Sequence, residues 1–301
     1  MFGNSLTILK RTAIESGNDK IWKLSAALAY YTIFSLPSML IVIIGLCSIF
    51  YGRDAVQGHI FGEINQFVGP DAALQLEDIL KKTSLHHDNF FATTIGFVVL
   101  LVSATGIFGE IQDSINSIWG LQTIPKKNMI KLVLNRLISF SMILVLGFIL
   151  LVSLVLSTLL ETFMDHLKQH FSHGLVNGVY VFDYALMLAV TATLFAFVFK
   201  GLPDARIKWN DIWIGSLFTS VLFITGKFII GYYLSHNNII STYGATGSLI
   251  VILLWVYYSS IILYFGAEFT QVYVRFKGRN IEPNKYSMWV EKNPVHPQIT
   301  A

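Results

Sequence analysis

The 301 residues are 54% hydrophobic and 13% charged, with a mean hydropathy of +0.60 and a formal net charge of +3. A soluble globule of this size would have too little charge to cover its surface, which excludes an ordinary soluble enzyme or binding domain. A single cysteine, Cys47, excludes a disulfide framework within the chain.

Crossing a hydrocarbon core about 30 Å thick takes roughly 20 apolar residues of helix. Six stretches reach that length: 21–50, 90–108, 137–160, 175–199, 212–234 and 247–274. The predicted fold is all-α, a polytopic bundle of six transmembrane helices forming one integral membrane domain over 1–301. A polar segment over about 1–20 precedes the bundle, which takes up 21–274, and a tail follows from 275 to 301. That leaves no room for a separate soluble domain. The first apolar run is too long and begins too late for a cleavable signal peptide.

In the first stretch, Ser25, Ala26 and Ala29 permit close helix approach in lipid. Pro37 removes a backbone donor near its middle. The break is either a structural kink or, as in broken transporter helices, a place where freed backbone groups meet a substrate. The connection over 51–89 is the longest. Its run from Asp71 to Leu80 carries apolar residues at helical spacing and predicts a short amphipathic helix at the membrane surface, with Asp71 as N-cap after Gly69-Pro70.

The second stretch runs on into Gly106–Gly120. Ile107, Ile111, Ile115 and Ile118 share one helical face, and Glu110, Asp113 and Asn116 or Ser117 the other. These acids either line a vestibule or mark an interfacial continuation of the helix, with Trp119 at headgroup level. After the third stretch, His166, His170 and His173 are spaced to lie on one helical face, a pattern compatible with a metal, beside Asp165. In a wet loop the same pattern reads as unligated histidines, and no metal site is assigned.

Lys227 is the one basic residue well inside an apolar stretch, about 10 Å from its outer end. A central lysine costs about 2.5–3.5 kcal/mol on insertion scales, so it needs a partner, water or an escape to the interface. Asp183 in the fourth stretch lies at similar depth, and an Asp183–Lys227 pair is the expectation, against snorkelling as the alternative. The approach to the sixth stretch, Ser241–Ser248, contains Tyr243, Gly244 and Gly247. It reads equally as an anion-binding helix N-terminus or as a tight interhelical connection. Glu268 sits toward the C-terminal end of that stretch, where the helix dipole disfavours an acid. A cationic partner is expected for it, in a structural or a proton-coupling role.

Lysine and arginine set the orientation. Lys10, Arg11, Lys20 and Lys23 precede or open the first stretch, and Lys126, Lys127, Lys131 and Arg136 fill the second connection. Lys200, Arg206 and Lys208 fall in the fourth connection, and Arg275, Lys277, Arg279, Lys285 and Lys292 in the tail. The opposite side has Arg53, Lys81, Lys82 and Lys168. Both termini are therefore expected in the cytoplasm, where the basic residues attract anionic headgroups. They make no aromatic-interleaved nucleic-acid surface. The sequence lacks HExxH, GxSxG and GxxxxGK[ST], so no enzyme and no cofactor is expected.

Several segments together resemble one family. Ser25–Pro37, Asn116-Ser-Ile-Trp119, Leu202-Pro203-Asp204 with Trp209 downstream, and Tyr243–Tyr258 followed by Gly266-Ala267-Glu268 are similar to the YihY/BrkB inner-membrane proteins of bacteria, over about residues 10–280. That family is also labelled ribonuclease BN-like. No residues here could assemble a hydrolytic metal site in the cytoplasm, so that activity is not carried over. The resemblance implies a six-helix protein of the bacterial inner membrane with a transport or envelope role. A transporter or lipid- or anion-handling protein is the first expectation, and an envelope-resistance or scaffold factor the alternative.

Overall fold

A computed structural model describes residues 2–35, 58, 61–62, 74, 106–124, 141, 145, 173–236 and 247–290. Helix α1 is Phe2–Asn18, and residues 21–35 form α2. Between them lies a tight turn in which Lys20 takes a left-handed φ of 53°. Helix α3 is Gly106–Ile118, α4 His173–Gly201, α5 Trp209–His236 and α6 Gly247–Phe276.

The last three have 29, 28 and 30 residues. At about 1.5 Å per residue each exceeds the thickness of a hydrocarbon core. Two stretches within them, Trp209–Ile230 and Leu249–Phe276, are long and apolar enough to cross a membrane, and Ala185–Gly201 is a shorter apolar stretch. The bounds of α4, α5 and α6 lie within about three residues of the sequence reading. The stretches over 36–50, 90–105 and 146–160 lie outside the described residues, as do Pro37, Asp71, His166, His170, Tyr243 and Gly244. His173 opens α4.

Helix α5 packs against both α4 and α6. Its outward face exposes Trp209, Trp213, Leu217, Val221, Phe228, Ile229 and Tyr232. Apolar side chains with tryptophans at one end are what a lipid-facing, interface-anchored helix requires. The α5–α6 seam is built from small residues. A Cβ on Gly215 would collide with Thr270, and one on Gly266 with Thr219, so each threonine fills the space left by the other helix's glycine. Both hydroxyls turn back into their own helix, Thr219 Oγ1 donating to the Gly215 carbonyl at 2.7 Å and Thr270 Oγ1 to the Gly266 carbonyl at 2.8 Å. Close backbone approach of this kind drives helix association in lipid, where no water is excluded. Farther along, Phe195 of α4, Phe223 of α5 and Trp255 of α6 meet edge to face, with centroids 5.7 and 6.4 Å apart.

One end of the bundle is stapled by the C-terminal segment. Helix α6 stops at Gly278, whose φ of 69° suits glycine, and the Arg279 N–H bonds back to the Val274 carbonyl at 3.1 Å. Beyond it, β3 (Glu282–Pro283) pairs antiparallel with β2 (Ala205–Arg206), in the α4–α5 connection. Next, β4 (Ser287–Trp289) pairs antiparallel with β1 (Leu121–Thr123), just after α3. The described residues are mostly helical, in keeping with the all-α expectation, with two short ladders added to it, and 275–290 is structured chain rather than a plain tail. The 1–20 segment, read only as polar chain, is helix α1 packed along α6.

The described core lies at this end. Ile21 of α2, Ile115 and Ile118 of α3, Phe199 and Leu202 at the end of α4, Ile212 of α5, and Tyr264, Ala267 and Val274 of α6 form one buried cluster. The isoleucine face of α3 is buried as its periodicity predicts. Ser35 of α2 closes over Gly106, where an added Cβ would stand 3.0 Å from its hydroxyl.

Candidate functional site

The turn between α4 and α5 places Asp204 in the interior, where it is 4% exposed. Helix α3 reaches it with two amides. Asn116 Nδ2 donates to Asp204 Oδ2 at 3.0 Å, the Asp204 N–H donates to Asn116 Oδ1 at 2.8 Å, and Gln112 Nε2 donates to Oδ1 at 3.5 Å. The tail closes the other side. Asn284 Nδ2 donates to Oδ1 at 3.2 Å and the Asn284 N–H to the Asp204 carbonyl at 3.0 Å, and Ser287 Oγ donates to that carbonyl at 2.6 Å. Lys200 completes the turn, its Nζ donating to the Ile207 carbonyl at 2.6 Å and lying over the Trp209 ring. The two carboxylate oxygens accept the three side-chain amides of Asn116, Gln112 and Asn284, while the Asp204 backbone N–H and carbonyl take the other bonds to that residue. Chemically the knot is a clasp between α3, the α4–α5 turn and the tail.

The second polar feature is a face of α6. Tyr264, Glu268, Gln271 and Arg275 follow one another at spacings of four, three and four, and so lie on one side of the helix. Tyr264 and Glu268 are fully buried and Gln271 is nearly so. With the Gln271 amide oriented to suit its neighbours, its nitrogen donates to Glu268 Oε1 at 3.3 Å and to the Ile118 carbonyl at 3.3 Å. Its oxygen then accepts from Arg275 Nη2 at 2.9 Å. Arg275 Nη1 bonds Glu15 Oε2 of α1 at 3.2 Å. Trp119 Nε1 donates to the Ala267 carbonyl at 3.0 Å, fixing the end of α3 against the same face. The Tyr264 hydroxyl is buried beside Ser114.

This face opens at Arg275 into a cavity of about 890 Å³ between the end of α1, the α3–β1 junction and the tail. Its lining includes Gln271, Arg275, Glu15, Asp19, Trp119 and Trp289. A smaller cavity of about 420 Å³ lies by the start of α5, where Arg279 Nη2 donates to Asp211 Oδ1 at 2.5 Å. Among the described residues no three His, Cys, Asp or Glu side chains are grouped as a metal site would need.

Of the residues singled out in the sequence, Glu268 belongs to this polar face. Its described hydrogen bond comes from Gln271, with the cation Arg275 one contact further on. Glu110 and Asp113 lie on α3, Glu110 half-buried and Asp113 exposed. Asn116, grouped with them by spacing, instead points into the Asp204 clasp. Lys227 is half-buried on α5 and does not line either cavity. Asp183 falls on α4, eighteen residues before Gly201, and Lys227 eighteen after Trp209. The two backbones thus stand at the same height above the connecting turn, and the Asp183 side chain lies outside the described residues. Gly247 is the buried first residue of α6.

Burial raises the Glu110 carboxyl above its ordinary value of 4.5, and nearby Asp113 adds to the rise while a bond from Ser114 opposes it. The folded state thus holds this proton more tightly than the unfolded chain does. Its contribution to stability is present below about pH 4.5 and is lost as pH climbs through the raised value. Glu110→Gln is therefore expected to flatten the fall in unfolding temperature as pH rises above about 4.5. An unchanged slope in a thermal scan of the purified protein would contradict it.

Long apolar helices with a lipid-facing aromatic end define an integral membrane protein. Residues 13–288 match the virulence factor BrkB family, and the chain belongs to it. It is similar to the protein named UPF0761 membrane protein in Stenotrophomonas maltophilia, 27% identical over 274 residues that cover 88% of this chain and 60% of that one. Proteins of the same name in Pseudomonas paraeruginosa (28% identical, covering 88% and 62%) and Ralstonia nicotianae (25%, covering 87% and 58%) are comparable. The chain thus spans about three fifths of the length of these curated relatives. No solved structure matches it.

Proposed function

We propose that this protein is a transporter or lipid- and anion-handling protein of the bacterial inner membrane, with six spans, both termini in the cytoplasm and no catalytic activity of its own. The observation supporting this reading is the polar face of α6. It leads from an open cavity at Arg275 through Gln271 to the fully buried Glu268, inside a stretch apolar enough to cross a membrane. Ionisable groups at such positions are costly and mark substrate, ion or proton pathways more often than they serve packing. In this reading Glu268 is the coupling carboxylate, an Asp183–Lys227 pair stands deeper in the bundle, and anionic headgroups gather at the basic end.

The test is reconstitution of the full chain into vesicles with labelled anionic phospholipid or a radiolabelled anion. Transport above that of protein-free vesicles is expected, with Glu268→Gln reducing it at least about tenfold at unchanged reconstitution yield. Equal transport in protein-free vesicles would overturn the reading. The second reading, a scaffold acting through partners, is favoured by the α5–α6 seam, whose interlocked glycines and threonines leave no space between those two helices.

A further inference from the structure

The cavity at the stapled end is lined by charges of both signs. Arg275 supplies one cation, and Glu15 and Asp19 supply two carboxylates. A plain anion drawn to Arg275 would meet these carboxylates, and a plain amine drawn to them would meet the guanidinium. Only a molecule with an anionic and a cationic group a few bonds apart complements both. The walls agree with this. Trp119 Nε1 and Trp289 Nε1 are held by the Ala267 and Ile281 carbonyls, each at 3.0 Å; both residues line the cavity, and Trp289 is the exposed indole there. Indole faces suit an alkylammonium group and the carbon chain beside it. A volume of about 890 Å³ holds far more than one small ion.

We infer that this cavity binds a zwitterionic phospho-amine, of the phosphoethanolamine headgroup type, with its phosphate on Arg275 and its ammonium on Glu15 and Asp19. Binding is an exchange of partners. The Arg275–Glu15 pair, 3.2 Å long with side chains 52% and 33% exposed, contributes little by itself and opens at small cost. The phosphate then takes the guanidinium edge that Glu15 leaves, and the ammonium takes Glu15. Gln271 keeps the other edge of Arg275 in place and joins it to Glu268, so the occupied site touches the polar face that runs into the membrane. The inference deepens the carrier reading and rests on its cavity, although binding itself requires no transport.

The experiment titrates the purified full chain in maltoside micelles, by calorimetry and tryptophan fluorescence. The probes are glycerophosphoethanolamine, glycerol 3-phosphate, ethanolamine and dihexanoyl phosphatidylethanolamine. One or both phospho-amines should bind at least about tenfold tighter than either half-molecule, and Arg275→Gln and Glu15→Gln should each weaken them by about tenfold or more. The charge-swapped double variant Glu15→Arg/Arg275→Glu should regain part of the loss, which a merely unfolded protein cannot do. Binding of the lipid alone identifies a membrane-borne headgroup, and binding of the glycerol compound as well admits a free metabolite. No binding, equal binding of the half-molecules, or indifference to both single variants would overturn the inference. A phospho-amine that binds without being moved across vesicles would leave this site standing and remove the transport reading.

Discussion

Gly266→Val is expected to be among the most damaging single changes in the described part of the chain, lowering stability by about 2–3 kcal/mol or more. The new side chain would enter the space held by Thr219, whose Cγ2 and Cβ already stand 2.7 and 2.8 Å from where a Cβ would be. Thr219 has no easy retreat, because its hydroxyl is bonded to the Gly215 carbonyl and its rotamer is thereby fixed. Gly215→Val should behave alike against Thr270. A β-carbon at either glycine forces α5 and α6 apart along the whole seam, since packed helices yield as units rather than atom by atom. Gly17→Ala on α1, where nothing lies within 4 Å, is the matching control. It should be neutral or stabilising by up to about 1 kcal/mol, from helix propensity alone. The readout is the thermal midpoint of the purified protein, with Thr219→Gly expected to rescue part of the Gly266→Val loss. Equal midpoints for Gly266→Val and wild type would show that the seam is not closed in the membrane.

Asp204→Ala is expected to release the tail, at a cost of about 2–4 kcal/mol. The substitution leaves the Asn116 amide without its carboxylate acceptor in a buried place and removes the Asn284 contact as well, and each orphaned polar group costs about 1–3 kcal/mol. Asp204→Asn should rescue little. Its amide offers one acceptor oxygen where Asn116, Asn284 and Gln112 all donate, so at least one of the three buried donors loses its acceptor. Limited proteolysis measures the effect directly. Cleavage near Lys277 or Lys285 should become rapid in both variants while the long helices remain protected. A tail as resistant as wild type would show that the two short ladders hold without the clasp.

The three long helices were legible because lipid imposes the simplest of patterns. About 20 apolar residues in a row leave few other readings, and α4, α5 and α6 begin and end within about three residues of where the apolar stretches do. Membrane association follows from the same pattern and from membership of the family. The clasp was half legible. Asn116 and Asp204 both lie in the motifs that carry the family resemblance, but nothing in a sequence says that residues 88 apart are bonded. Asn116 was grouped with Glu110 and Asp113 because a helical wheel sorts residues by polarity and cannot separate a polar side facing water from one facing a buried carboxylate. The ladders were invisible because strands of two and three residues carry no alternation to detect. The polar face of α6 is present in the sequence as Tyr264, Glu268, Gln271 and Arg275 at helical spacing, a pattern that Glu268 taken singly does not reveal. Gly215 and Gly266 each stand four residues before a threonine on their own helix, a small-residue signal obscured by the surrounding apolar residues.

In the function proposed above, the stapled end, with α1, the tail and the cavity at Arg275, faces the cytoplasm. The most direct test of that orientation is accessibility labelling of single cysteines in a Cys47→Ser background. Asn18→Cys on α1 and Lys285→Cys between β3 and β4 are both at exposed positions, and the reagent is a membrane-impermeant maleimide applied to spheroplasts. The account predicts that neither site reacts until the membrane is opened, and that both then react together. Labelling of either cysteine in intact spheroplasts would place that end outside and contradict the claim.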